Sequence, residues 1–432
     1  MKKVAIKASN NKYVQNQNDG QLSLKAVATQ IGSGETFELE QLSGAFVLNV
    51  KDYGAVGDAV TDDRQAIQNA INDAVANKGG TVYFPPGRYF IGDTLTVNGL
   101  ATLCGAGFST NNVHEGSFIY FKQDINGPAL EILGRAVTVE RLGFYCDQPA
   151  ISENWSPYEY GGECTIHIRR DDVTLRNIFL YNVTRGIAMA NATGSIGRIT
   201  LDRIFGQPLT EGIKVDNALD VVKISNVHFW PFWSDSTEVR SYQVNHATGL
   251  VSYRNDNPFY SDIFCLGYFV GMLFGTSEQP SGTGIDANIW GKTSKFKLVN
   301  IDLDFCARGV RIVGDHTTGQ ISNISCHGPD SGQNFEGINV DANHVKLQIN
   351  NVHIYNYNSN RIRVEKHNNF VMVSNVWIDS WSQNAEGNGF PAIEAVEEDS
   401  TIMINAGRLF QNGGNNAPNT GGLGTIHIAQ YE

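Results

Sequence analysis

Two aspartates one residue apart, Asp302 and Asp304, lie in the run Val299-Asn300-Ile301-Asp302-Leu303-Asp304-Phe305. Hydrolysis of a glycosidic bond needs two carboxyls, one as proton donor and one as base or nucleophile. On an extended strand, residues i and i+2 share a face with their Cα atoms about 6.5–7 Å apart. With flexible tips, that separation admits inversion or retention alike. Asp302 and Asp304 are therefore the candidate catalytic pair. The alternative is a pair of solvated surface acids that discourage edge association. Elimination would need instead a base beside a uronate and cations to neutralise its carboxylate. Arg308, Arg311, Lys214, His327 and His353 could supply these, but the acidic character of the stripe described below favours hydrolysis. No phosphate-cradling G-x-x-x-x-G-K-S/T, H-E-x-x-H or G-x-S-x-G motif occurs, nor a calcium-loop cluster of aspartates. No metal or cofactor is called for.

A recurring unit must position the two acids. A polar residue, then Asn or a substitute, then Ile or Val recurs with the aliphatic residue at 178, 204, 227, 263, 301, 324, 352 and 376. Successive differences are 26, 23, 36, 38, 23, 28 and 24. A second marker follows in step: Gly186-Ile187, Gly212-Ile213, Gly271-Met272, Gly309-Val310 and Gly337-Ile338. Short alternating strands at this period predict the coils of a parallel β-solenoid stacked about 4.8 Å apart. Asn177, Asn226, Asn300, Asn323, Asn351 and Asn375 then form a hydrogen-bonding ladder at a turn, and the Ile/Val column faces the interior.

Alternation along each strand sorts inside from outside. Ile301, Leu303 and Phe305 are expected inside, with Asp302 and Asp304 outside. The same register sets Tyr181, His228, Trp230, Phe264, His327, His353, Tyr355, Trp377 and Asp379 on that outer face. Aromatic faces suit the C–H faces of sugars, so these residues, with Arg311 one strand farther on, are the candidate substrate-binding set; subunit packing is the alternative. The coils 227–263 and 263–301 exceed their neighbours by about ten residues each, which predicts loops over 231–245 and 276–294 walling a site. Those loops add Asp235, Glu238, Glu278 and Asp286.

Upstream, apolar residues at 66, 67, 70, 71, 74 and 75 have helical spacing, with Thr61, Asp62 and Asp63 as N-cap and first-turn acids. A helix here would cap the open end of the solenoid. The 432 residues carry 45 Gly and a net charge of −12, which favours an all-β chain and disfavours nucleic acid as a partner. The longest apolar run, 263–274, is too short for a membrane span. The N-terminal Met1-Lys2-Lys3-Val4-Ala5-Ile6-Lys7 lacks a signal-peptide core. Cys104, Cys146, Cys164, Cys265, Cys306 and Cys326 show no metal or disulfide spacing and are expected as buried free thiols. Gly105-Ala106-Gly107 is expected as a tight turn of the first coil.

Residues 50–100, through Val50-Lys51-Asp52-Tyr53-Gly54-Ala55-Val56-Gly57-Asp58 and Gly79-Gly80-Thr81-Val82-Tyr83-Phe84-Pro85-Pro86-Gly87-Arg88-Tyr89-Phe90-Ile91, resemble the N-terminal signature of the pectate-lyase-like β-helix superfamily. That resemblance implies a right-handed parallel β-helix; members include polysaccharide lyases, glycoside hydrolases and phage tailspike depolymerases. The runs Gly206-Gln207-Pro208-Leu209, Val227-His228-Phe229-Trp230-Pro231-Phe232-Trp233 and Arg254-Asn255-Asp256-Asn257-Pro258 resemble phage tail-spike or tail-fibre β-helices. This implies a virion-tail depolymerase of bacterial surface polysaccharide. A glycan-binding tail protein without turnover and a secreted polysaccharide lyase are the alternatives. Val4-Ala5-Ile6-Lys7-Ala8-Ser9-Asn10-Asn11-Lys12-Tyr13-Val14 with Glu35-Thr36-Phe37-Glu38-Leu39 resembles one lobe of a fascin-like β-trefoil. A trefoil closes with three lobes, so the resemblance implies a homotrimer; packing of the lobe on its own β-helix is the alternative. The expected organisation is a small β lobe over 1–45, a β-helix entry with its capping helix over 46–100, and the parallel β-helix over 101–432.

Overall fold

The computed structural model describes residues 3–5, 13–16, 24–28 and 36–38, then 46–429 except 123, 161–163, 191–194, 278–291, 331–334, 358, 380–390 and 410–419. The chain divides into two compact units, Met1–Phe46 and Val47–Glu432. In the first, Lys3–Ala5 pairs antiparallel with Thr36–Glu38, and Tyr13–Asn16 with Leu24–Ala28.

The second unit is a parallel β-helix of two long sheets, which among the described residues hold twenty strands and twelve. Each coil contributes a short strand to the smaller sheet and a longer one to the larger, always parallel to the coil before. The register stacks Ile178, Ile204, Val227, Ile263, Ile301, Ile324, Val352 and Val376 in one row. None is more than 3% exposed, so the row forms the spine of a continuous apolar core. The glycine marker has a steric cause. A Cβ on Gly309 would lie 2.4 Å from the carbonyl oxygen of Gly337 on the next coil, so only glycine lets the coils approach this closely.

The asparagine column bends the larger sheet inside a strand. Asn177, Asn226, Asn300, Asn323, Asn351 and Asn375 all have φ between +53° and +58°, a left-handed conformation that asparagine tolerates better than most residues. Each bend divides its strand into two flat halves. The amides join coil to coil: Asn300 donates to Asp262 (2.9 Å), Asn323 to Asn300 (3.0 Å), Asn351 to Asn323 (2.8 Å) and Asn375 to Asn351 (3.1 Å).

Helix α1 (Arg64–Ala76) buries Ile67, Ala70, Ile71 and Ala74 against the first coils. Its N-terminus departs from expectation. Thr61 and Asp62 end the strand Asp58–Asp62, and the first helical turn has no acid. Asp63 stands at the N-cap but turns its carboxylate away, accepting from the backbone of Val56 (2.6 Å) and Gly57 (2.9 Å). Those contacts pin the entry loop to the helix. All six cysteines are buried and free. Among the described residues, no helix is long and apolar enough to cross a membrane.

The ladder yields a paired prediction. Asn323→Ala loses both amide contacts and the left-handed preference, and is expected to cost about 1–2 kcal/mol in urea unfolding. Asn323→Gly keeps the backbone preference and is expected to cost less. Equal losses in the two variants would assign the whole effect to the amides.

Candidate functional site

Beyond the asparagine bend, side chains on the outer face of the larger sheet stand in two columns, one residue per coil. The register sets Phe205, His228, Phe264, Asp302, Ser325, His353 and Trp377 in the first. The second carries Asp304 beside Leu266, and Tyr355 beside His327. Asp302 and Asp304 thus sit mid-face, with their intervening Leu303 buried.

Aromatic rings flank the acids on both sides. On the preceding coils, the His228 ring lies 5.2 Å from Phe264 and 6.2 Å from Trp230, and Trp230 lies 6.1 Å from Phe264. On the following coils, His327 stacks on Tyr355 at 4.2 Å, Tyr355 on His353 at 4.7 Å, and His353 meets Trp377 at 5.6 Å. Trp230 is 44% exposed and Trp377 49%, so each bank of rings ends in a large apolar face open to a ligand.

The second aspartate has a partner. His327 Nδ1 lies 2.8 Å from Asp304 Oδ1, and because an ionised carboxylate only accepts, Nδ1–H is the donor. The ring is sandwiched between Tyr355 and Phe305, whose centroid is 4.4 Å away. Phe305 therefore does not point inward as alternation predicts. Its φ of +50° takes it out of the strand, and its ring turns outward to brace His327. A bulky residue rarely adopts that conformation, so the neighbouring packing must sustain it.

The two carboxyls differ in environment. Partial desolvation pushes the Asp302 carboxyl above the ordinary range, the nearby Asp304 carboxylate adds to this, and His327 opposes it. Although its outer surface meets water, Asp302 is flanked along its column by Phe264 and Ser325. A carboxyl that resists ionisation is suited to donate a proton. Burial likewise pulls His228 below the usual imidazole range.

Two residues expected at the site lie elsewhere. Arg311 belongs to the smaller sheet, between Leu273 and Asn339, where it pairs with Asp341 at 3.2 Å; the chain has already turned the corner after Asp304. Tyr181 shares the outer face but stands four coils before Asp304, about 19 Å along the axis. At that end the face is closed, with Phe179 buried beneath Phe108 and Phe232. Of the loop acids, Asp235 pairs with Arg240 and Glu238 lies in the first turn of helix α2 (Thr237–His246). Glu278 and Asp286 lie outside the described residues. The insertion over 231–245 is firmly held: Val239 packs with Trp155 and Leu209, and Gln243 bonds to Gln207. The Asp304–His327 pair was not foreseen, yet it is one coil period apart, 23 residues.

Residues 47–127 match the family described as rhamnogalacturonase A/epimerase, pectate lyase-like. That stretch ends before any residue of the two columns. The plasmin and fibronectin-binding protein A of Streptococcus pneumoniae is 31% identical over 182 residues, 39% of this chain and 25% of that protein. The mannuronan C5-epimerase AlgE6 of Azotobacter vinelandii is 52% identical over 66 residues, 14% of this chain and 8% of that protein. This chain thus spans a quarter or less of the length of these relatives. Among solved structures, the N-terminal fragment of bacteriophage Phi29 gene product 12 superposes with a TM-score of 0.52 at 15% identity, over 88% of this chain and 72% of that one.

Asp302 also leads to a stability test. Its folded pKa lies above the unfolded value, so the native state holds more protons between the two. Stability therefore falls as pH rises through that window, and ionised Asp302 remains a cost at neutral pH. Asp302→Asn is expected to melt at a higher temperature than wild type at pH 7, with the gap closing below pH 4. A variant less stable at pH 7 would contradict the assigned environment.

Proposed function

From the pectate-lyase-like right-handed β-helix as premise, we propose that this chain is a glycoside hydrolase that cleaves a bacterial surface polysaccharide along the outer face of its larger sheet. The observation that carries the reading is the carboxyl pair between two banks of rings. The rings offer stacking surfaces for successive sugars, so the scissile bond falls at the acids. Asp302 donates its proton to the leaving oxygen. Asp304, oriented by His327, serves as base or nucleophile.

Hydrolysis is favoured over elimination or epimerisation by the charge of the face. From Phe205 to Trp377, no described member of the two columns is Lys or Arg. Abstraction of a proton beside a uronate carboxylate calls for cations that stabilise the developing charge. A face of acids and rings suits an uncharged glycan. A phage-tail setting is supported by the runs around Gly206 and Val227 and by the shared fold with the phage fragment. In that setting the N-terminal lobes would meet in a homotrimer, which light scattering on the purified protein can check.

The decisive assay incubates the protein with a panel of capsular and exopolysaccharides. Reducing ends without absorbance near 235 nm are expected. Reducing ends with absorbance would mean elimination, and altered sugar stereochemistry without chain cleavage would mean epimerisation. Saturable binding with no product would leave a glycan-binding protein. Asp302→Asn and Asp304→Asn should each lower product release by about 10²-fold or more while retaining binding. The alkaline limb of kcat/KM, set by ionisation of Asp302, should disappear in Asp302→Asn.

A further inference from the structure

A second site stands on the other side of the asparagine bend, where the chain leaves the smaller sheet and enters the larger one. There a cavity of about 580 Å³ is lined by Arg254, Asn255, Asp256, Lys292, Lys295 and Thr318. The volume is in the range of small-ligand sites. Four coils contribute: Leu219 lies on the first, Asn255 pairs in register with Thr293 and Asp256 with Ser294, and the backbone N–H of Lys295 donates to Thr318 Oγ1 at 2.9 Å.

Three of the charged lining residues are cations and one is an acid, in a chain whose net charge is −12. The lining thus carries a net positive charge, which is what an anion site needs. The single acid is largely committed: Asp256 accepts from Ser294 Oγ at 2.7 Å and lies 3.5 Å from Lys295 Nζ. Arg254 is held by Asn217 Oδ1 at 2.5 Å and has the Asp216 carboxylate nearby. Among the described residues, no carboxylate pairs with Lys292, and burial alone pulls its ammonium below the usual range. On the following coils His316 stacks on His344 at 4.5 Å. Burial, with Lys292 and His344 close by, lowers the His316 imidazole, opposed only by Asp315. Lys292 and Arg254, whose charged forms burial disfavours, are stabilised when an anion enters the cavity.

We propose that this cavity binds an oxyanion, held by Lys292, Lys295 and Arg254: the carboxylate of an acidic sugar or a free sulfate or phosphate. The site is separate from the acid-aromatic face and stands or falls independently of the hydrolase reading. Lys292 and Lys295 supply charge from the two ends of the short strand Thr293–Ser294. Arg254, planar and already oriented by Asn217, supplies directed N–H donors.

Isothermal titration of the full chain at constant ionic strength tests this, with inorganic sulfate and a galacturonate trisaccharide as probes and chloride as background. Saturable binding of either supports the proposal; sulfate alone indicates a free anion as ligand, and trisaccharide alone a sugar-borne carboxylate. Lys292→Gln/Lys295→Gln should weaken binding by about 10²-fold, at roughly tenfold per lost charge-assisted contact. Asp256→Asn, which raises the local positive charge, should tighten it. Asp302→Asn should leave it unchanged. If the double variant fails to fold, Asp256→Asn decides alone: affinity no higher than wild type overturns the proposal. So does the absence of saturable binding for both probes, or equal binding by wild type and a folded double variant.

Discussion

The stacking of one coil on the next governs everything else in the β-helix. Backbone ladders fix the axial step, and the row from Ile178 to Val376 fixes rotation about the axis, since a one-residue slip would carry every aliphatic side chain into solvent. The asparagines add a local lock. By taking a left-handed conformation at the same point in successive coils, they divide the larger sheet into two flat faces with a shared edge. The acid-aromatic columns occupy one face and the cationic cavity opens at the far end of the other.

This division lets opposite chemistries coexist on one strand. Phe296–Asp304 runs from beside Lys295, in the cavity wall, to Asp302 and Asp304. Were the strand straight, alternation alone would determine which residues share a face. The bend at Asn300 gives its two halves different outlooks. Among the described residues no group of His, Cys, Asp or Glu is arranged to hold an ion.

Much of this was legible in the sequence because a solenoid writes its geometry as a period. The Ile/Val positions and their spacing gave the coils, and alternation gave the outward direction of Asp302, Asp304, His327 and Trp377. Legibility failed where a residue leaves the regular strand. Phe305 breaks alternation through its left-handed backbone, and Arg311 lies past a corner that alternation does not see. Asp63 sits in the sequence of an N-cap, but two backbone N–H groups of the entry loop compete for its carboxylate and win. The cationic cavity was invisible for another reason. Arg254 and Lys292 are one coil apart, at the same 38-residue step as Ile263 and Ile301, but they lie outside the recurring Asn-Ile/Val unit, so nothing in the repeat marks them as facing a cavity.

A groove built from one residue per coil is graduated like a ruler, with divisions of about 4.8 Å. Loops can lengthen at the corners, as the 231–245 insertion does, without shifting any graduation. Under the proposed reading, a glycan lying along it would meet stacking rings only at whole divisions, so the pitch of the polymer would matter more than the shape of any single pocket. Duplicating or deleting a whole coil between Trp230 and Trp377 would change the number of divisions while leaving each rung's chemistry intact. Specificity on such a scaffold is free to evolve in discrete lengths.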